Sequence, residues 1–112
     1  MVDPPATFTL TTDERDGLTL VTLGGELDLF TTPRLTEALD AVAEEDRRVV
    51  LDLRGLEFMD STGLAVILRF HQRAEESPFD FVVVRGPEPV DRIFRITRTD
   101  ELLEMLEVPP SG

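Results

Sequence analysis

The twenty residues from Val49 to Leu68, VVLDLRGLEFMDSTGLAVIL, constrain this chain more than any other stretch. They open on a short apolar run, Val49 to Leu53, of the kind that forms a buried strand. They close on a helical spacing, with Leu64, Ile67, Leu68, His71 and Glu75 recurring at i, i+3, i+4, i+7 and i+11. Between the two stands Asp60-Ser61-Thr62-Gly63, at a strand-to-helix junction. A helix N-terminus presents unpaired N–H groups and the positive end of its dipole, so Asp, Ser and Thr there are readily explained as caps. The question this raises is whether one of the hydroxyls does more than cap.

The rest of the chain alternates in the same way. Thr7 to Thr12 has the period of a half-buried strand, Asp13 to Gly17 is a polar turn ending in Asp-Gly, and Leu18 to Leu23 returns as a second strand. Gly24-Gly25 breaks that strand, and Glu26-Leu27-Asp28 is an extended exit. Thr32-Pro33 starts a helix with Leu35, Ala38, Leu39 and Val42 on one face, ended by Glu45-Asp46-Arg47-Arg48. Arg54-Gly55 turns the chain after the central strand, and Phe58 and Met59 are apolar anchors before the second helix, which runs from Ser61 or Thr62 to about Glu75. Phe79 to Val84 is a further strand. Pro89 lies near the start of a third helix whose face is Val90, Ile93, Phe94 and Thr97, and residues 100–107 fit either a short helix or an edge strand.

This order predicts an α/β fold: a mostly parallel sheet with right-handed crossovers, one antiparallel strand from the N-terminal hairpin, and about three packing helices. One domain spans 7–107, between a flexible N-terminus at 1–6 and a flexible tail at 108–112. Functional loops of such sheets gather at the carboxyl ends of the strands. If Leu18–Leu23 and Val49–Leu53 are parallel neighbours, Glu26-Leu27-Asp28 and Asp60-Ser61-Thr62 share one edge.

Composition removes several functions. The formal net charge is −12, which argues against nucleic acid as a partner, because phosphate contacts need clustered cations. There is no lysine, hence no phosphate-loop lysine and no Schiff base. There is no cysteine, so neither a disulfide, a zinc–thiolate site nor a thiol nucleophile. No apolar run approaches a membrane span and no signal peptide is visible, so a cytoplasmic protein with no membrane partner is the expectation.

The candidate chemistries narrow to one. Ser61 and His71, the single histidine, lie ~15 Å apart along one helix at ~1.5 Å per residue, beyond the reach a nucleophile and base require. His71 instead falls near the azimuth of Leu64, as a partly buried packing residue. An aspartic protease motif carries Asp-Thr-Gly or Asp-Ser-Gly in an all-β fold, and here one residue too many precedes a helix. Glu26, Asp28, Asp52 and Asp60 lack the pattern of a calcium loop and read as solvated acids, so no metal and no cofactor is expected. What remains is a hydroxyl as phosphate acceptor, at which a phosphate adds about −1.5 to −2 charge and three acceptor oxygens. The sequence alone leaves that role open beside a plain helix cap.

Three blocks in order bring a family into view. Phe58-Met59-Asp60-Ser61-Thr62-Gly63-Leu64 resembles the signature of the STAS domain, and more narrowly that of the anti-sigma factor antagonists of bacterial partner-switching systems. Gly25-Glu26-Leu27-Asp28 before Thr32-Pro33 resembles the family's first block, and Arg92 to Thr97 its third helix; the likeness covers about residues 7 to 106. The resemblance implies a SpoIIAA-like mixed sheet and a non-enzymatic regulator of sigma-factor-dependent transcription. Unphosphorylated, it would bind a serine-kinase anti-sigma factor; phosphorylated on Ser61, with Thr62 second, it would let go, and a serine phosphatase would restore it. Glu26, Asp28, Asp60, Ser61, Thr62 and Gly63 would form the partner-binding edge. Homodimerisation is left open, as is a scaffold role in a larger assembly or in transport regulation, with Ser61 only a cap. The chain departs from the family in reading Ile96-Thr97-Arg98-Thr99 where Ile-Thr-Gly-Leu is usual, and in showing no pattern for a further closing helix.

Overall fold

The computed structural model describes residues 8–43, 48–77 and 79–110; the expected flexible segment 1–6, the helix exit at 45–47 and the last two residues of the tail lie outside it. The elements run β1 (Phe8–Arg15), β2 (Leu18–Leu27), α1 (Thr32–Ala43), β3 (Arg48–Met59), α2 (Ser61–Glu75), β4 (Phe81–Val84), α3 (Glu88–Ile96), a 3-10 turn at Thr99–Glu101 and β5 (Met105–Leu106). The five strands form one sheet in chain order. β1 pairs antiparallel with β2, and every later pairing is parallel. The hairpin closes through Asp16 at φ 29° and Gly17 at φ 84°, both in the left-handed region that a tight two-residue turn demands.

Alternation along the strands sorts the side chains onto two faces. Val21, Leu23, Val49, Leu51, Leu53, Phe81 and Val83 face the helices, where they join Leu35, Leu39, Ile67, Phe70, Val90 and Phe94 in one core. The other face carries a smaller cluster, Leu18, Val50, Val82 and Val84. The central strands are apolar on both sides, which is why they read as continuous hydrophobic runs. Phe70 of α2 locks against β4, with its ring 4.8 Å from Phe81 edge-on and 5.3 Å from Phe79.

Several boundaries differ from the sequence reading. Gly24-Gly25 does not break β2 and Arg54-Gly55 does not turn the chain: both pairs lie inside strands that continue side by side to Leu27 and Met59. A Cβ on Gly24 would stand 2.5 Å from Thr9 Oγ1, and one on Gly55 2.8 Å from the carbonyl of Leu23. These glycines mark close approach of neighbouring strands, at two register shifts in the β2–β3 ladder, rather than strand ends. Phe79 and Asp80 precede β4 instead of belonging to it. Met59 is buried as expected of an anchor, whereas Phe58 points outward and is 46% exposed. Residues 99–106 hold both readings in turn, the 3-10 turn and then the edge strand β5.

The departure at Arg98 leaves the backbone turn in place. Arg98 follows α3 with φ 61° and ψ 19°, the left-handed conformation for which glycine is usual after a helix. Its guanidinium pairs with Glu101 at 2.8 Å, an exposed contact that contributes little. A side chain held there costs about 1–2 kcal/mol. Arg98→Gly is therefore expected to stabilise the fold by about 1 kcal/mol, seen as a higher urea midpoint at unchanged slope.

Candidate functional site

The parallel pairing of β2 with β3 brings the two acidic loops to one edge. Leu27 and Met59 are register partners, so Asp28 and Asp60 emerge side by side from the ends of adjacent strands. The Asp60 N–H donates to the carbonyl of Leu27 at 3.2 Å, fastening the two exits.

Asp60, not Ser61, caps α2. Its carboxylate accepts the backbone N–H groups of Thr62 at 2.9 Å and Gly63 at 3.3 Å. The Thr62 hydroxyl donates to the same oxygen in a short contact. Burial pushes the Asp60 carboxyl up, but the Thr62 hydroxyl and the N–H groups of Gly63, Thr62 and Leu29 outweigh it and hold the group below the ordinary carboxylate range. Ser61, the first residue of the helix, is exposed and has no part in the cap. Gly63 is buried; a Cβ there would press within 2.9 Å of Leu27 Cγ and 2.8 Å of Met59 Cγ. The glycine thus lets the helix start sit directly on the strand ends, and it shapes the edge from beneath.

The first loop is built around Asp28. Its Oδ1 accepts the N–H of Phe30 at 2.9 Å and of Thr31 at 3.1 Å. Thr31 Oγ1 accepts the Asp28 N–H at 2.9 Å and donates to the Glu26 carbonyl at 3.0 Å. Glu26 is the register partner of Phe58, on the sheet face away from the helices. Five of the six site residues read from the sequence therefore lie around one open rim, with Gly63 below it. The sequence reading passed over Leu29 and Phe30, whose side chains are 63% and 87% exposed beside Asp28. Two consecutive apolar residues that fit no strand or helix period were the available signal.

Other candidates fall elsewhere. Asp52, read as a solvated acid, is 3% exposed on the open sheet face and bound by Arg54 at 2.9 Å. It does not join Glu26, Asp28 and Asp60, and the described residues contain no cluster of three acid or histidine ligands. His71 sits at the far end of α2, its Nε2 3.1 Å from Glu75. A cavity of about 370 Å³ there is lined by Arg48, His71, Phe79 and Phe81, at the opposite end of the sheet from Ser61. None of the residues lining that cavity belongs to the rim that carries the candidate residues.

The sequence profile of the STAS domain matches residues 9–109. This chain belongs to the STAS domain family. The anti-sigma-F factor antagonist RsfB of Mycobacterium tuberculosis is 32% identical over 104 residues, covering 85% of each chain. The crystal structure of an anti-sigma factor antagonist from Mycobacterium paratuberculosis superposes with a TM-score of 0.86 at 26% identity, over 96% of this STAS chain and 92% of that one. The antagonist SpoIIAA shares the fold at 18% identity, with a TM-score of 0.70 over 88% of this chain and 87% of its own, and its structure is known in unphosphorylated and phosphorylated forms.

A cap carboxylate held below its ordinary pKa contributes stability that is fully present above the unfolded-state value and is lost as pH falls through the folded-state value. Asp60→Ala is expected to cost about 1 kcal/mol at neutral pH. Asp60→Asn retains a competent cap and flattens the acid limb of the stability curve, measured by urea unfolding across the acid range.

Proposed function

We infer that this STAS domain is an anti-sigma factor antagonist that works as a phospho-switch and catalyses no reaction of its own. One observation carries the reading: Ser61 stands exposed at the first position of α2 while Asp60 does the capping. A hydroxyl free of structural duty, on an exposed residue, is accessible to a kinase and can change charge without dismantling the helix start. Thr62 is the poorer acceptor, because its hydroxyl is engaged by Asp60 and the residue is half-buried. The relatives named as antagonists of anti-sigma factors support the same assignment.

In the unphosphorylated state the rim formed by Glu26, Asp28, Asp60 and Ser61 binds a serine-kinase anti-sigma factor, freeing the sigma factor. Transfer of the γ-phosphoryl group of ATP to Ser61 Oγ, with loss of the hydroxyl proton, places about −1.5 to −2 charge between Asp60 and the partner. The positive end of α2 tolerates that charge in the free protein. Within a docked surface the charge must be desolvated beside acidic neighbours, so the complex opens. A serine phosphatase resets the switch.

Incubation with a partner kinase and ATP, followed by peptide mapping, is expected to find phosphate on Ser61. Modification elsewhere with Ser61 untouched refutes the assignment. Ser61→Asp is expected to weaken kinase binding at least about tenfold, roughly 1.4 kcal/mol, with an unchanged circular dichroism spectrum. Equal affinity of variant and wild type would count against the switch.

A further inference from the structure

Isolated apolar residues on a protein surface are ordinary and carry no message. Leu29 and Phe30 differ in being displayed by a fixed backbone. The Phe30 N–H is bound by Asp28 Oδ1, and Thr31 is bound through both its N–H and its hydroxyl. The N–H groups of Thr31 and Thr32 also donate to the Asp28 carbonyl, at 3.1 and 2.9 Å. The Asp60 N–H donates to the carbonyl of Leu27 at 3.2 Å, which ties the entry of this loop to the start of α2. The backbone is ordered at no cost to binding while its two side chains point into solvent. That is the economy of a preorganised anchor.

Phe58, the register partner of Glu26 on the neighbouring strand, is a further exposed apolar residue. The acids of the two strand exits are Glu26, Asp28, Glu57 and Asp60, and the cation nearest Phe30 in the chain, Arg34, donates to the Phe8 carbonyl at 3.0 Å. That rim selects the occupant. A second copy of this chain would set acid against acid at a net charge of −12 each, which opposes self-association here. An anionic membrane surface is repelled on the same ground. A protein with an apolar pocket ringed by Arg and Lys fits both features, and the loop leaves β2 beside the strand exit that leads to Ser61, because Leu27 and Met59 are register partners.

We propose that Phe30, with Leu29 beside it, is the affinity anchor for the kinase partner and enters an apolar pocket with a cationic rim. This rests on the switch reading of Ser61 and divides the labour at the edge. Phe30 sets how long the complex lasts. The acidic rim sets how fast it forms, and Ser61 decides whether it persists. Anchor loss acts mainly on dissociation, whereas rim charges act mainly on association and its salt dependence.

The test uses the full chain against each serine-kinase anti-sigma factor of the genome that encodes it, by surface plasmon resonance at several salt concentrations. Phe30→Ala is expected to weaken binding about 30-fold or more, almost wholly through faster dissociation, with its salt dependence and circular dichroism as in wild type. Phe30→Leu should recover most of the affinity. Glu26→Gln combined with Glu57→Gln should slow association and flatten its salt dependence, leaving dissociation as it is. A Phe30→Ala variant that dissociates at the wild-type rate overturns the anchor and leaves the Ser61 switch standing. A kinase that loses Phe30→Ala yet never modifies Ser61 in wild type supports the anchor and overturns the switch. If no such kinase binds wild type, both fall.

Discussion

The Asp60 carboxylate is the contact on which this edge depends. It satisfies the N–H groups of Thr62 and Gly63 at the start of α2 and engages the Thr62 hydroxyl. Its own N–H closes onto the end of β2. A strand end and a helix start therefore meet at one residue. Those donors would otherwise be orphaned at a helix terminus. Because Asp60 meets that need, the next residue in the chain is left with nothing to do structurally.

That separation shapes the whole domain. The stabilising mass lies behind the edge, where three helices cover one face of the sheet and Phe94, Leu51 and Ile67 are wholly buried. The proposed acceptor and partner-binding residues lie in front of it, at strand termini and in loops. Such a division lets a surface gain two negative charges while the packed core is unchanged. Gly63 joins the two regions: it lies against the core side chains of Met59 and Leu27 and stands two residues after Ser61.

Much of this was legible in the sequence, and the failures have physical causes. Hydrophobic period found the helices and the central strands, and the parallel pairing of β2 with β3 bore out the shared edge. Strand ends were misplaced at Gly24-Gly25 and Arg54-Gly55, because local propensity reads glycine as a breaker while tertiary crowding between strands requires it. The identity of the cap escaped too. Asp, Ser and Thr are all good caps, and only the backbone geometry at Asp60, extended at φ −106°, assigns the role. Asp52 read as a solvated acid because one-dimensional pattern cannot tell which face an Arg54 guanidinium will fold back upon. Leu29 and Phe30 were overlooked because sequence patterns for binding favour charged and hydroxyl residues over an unpaired apolar step.

The distance between the Ser61 edge and the cavity near His71 has a practical consequence for anyone wishing to block the proposed switch. Drug-sized molecules need a concavity that buries most of their surface, and the cavity of about 370 Å³ lies at the other end of the sheet. An effective blocker must bring the concavity with it, as an antibody-like paratope or a designed cleft does. Conversely, a probe seated near His71 would report on the protein while leaving its working edge unobstructed.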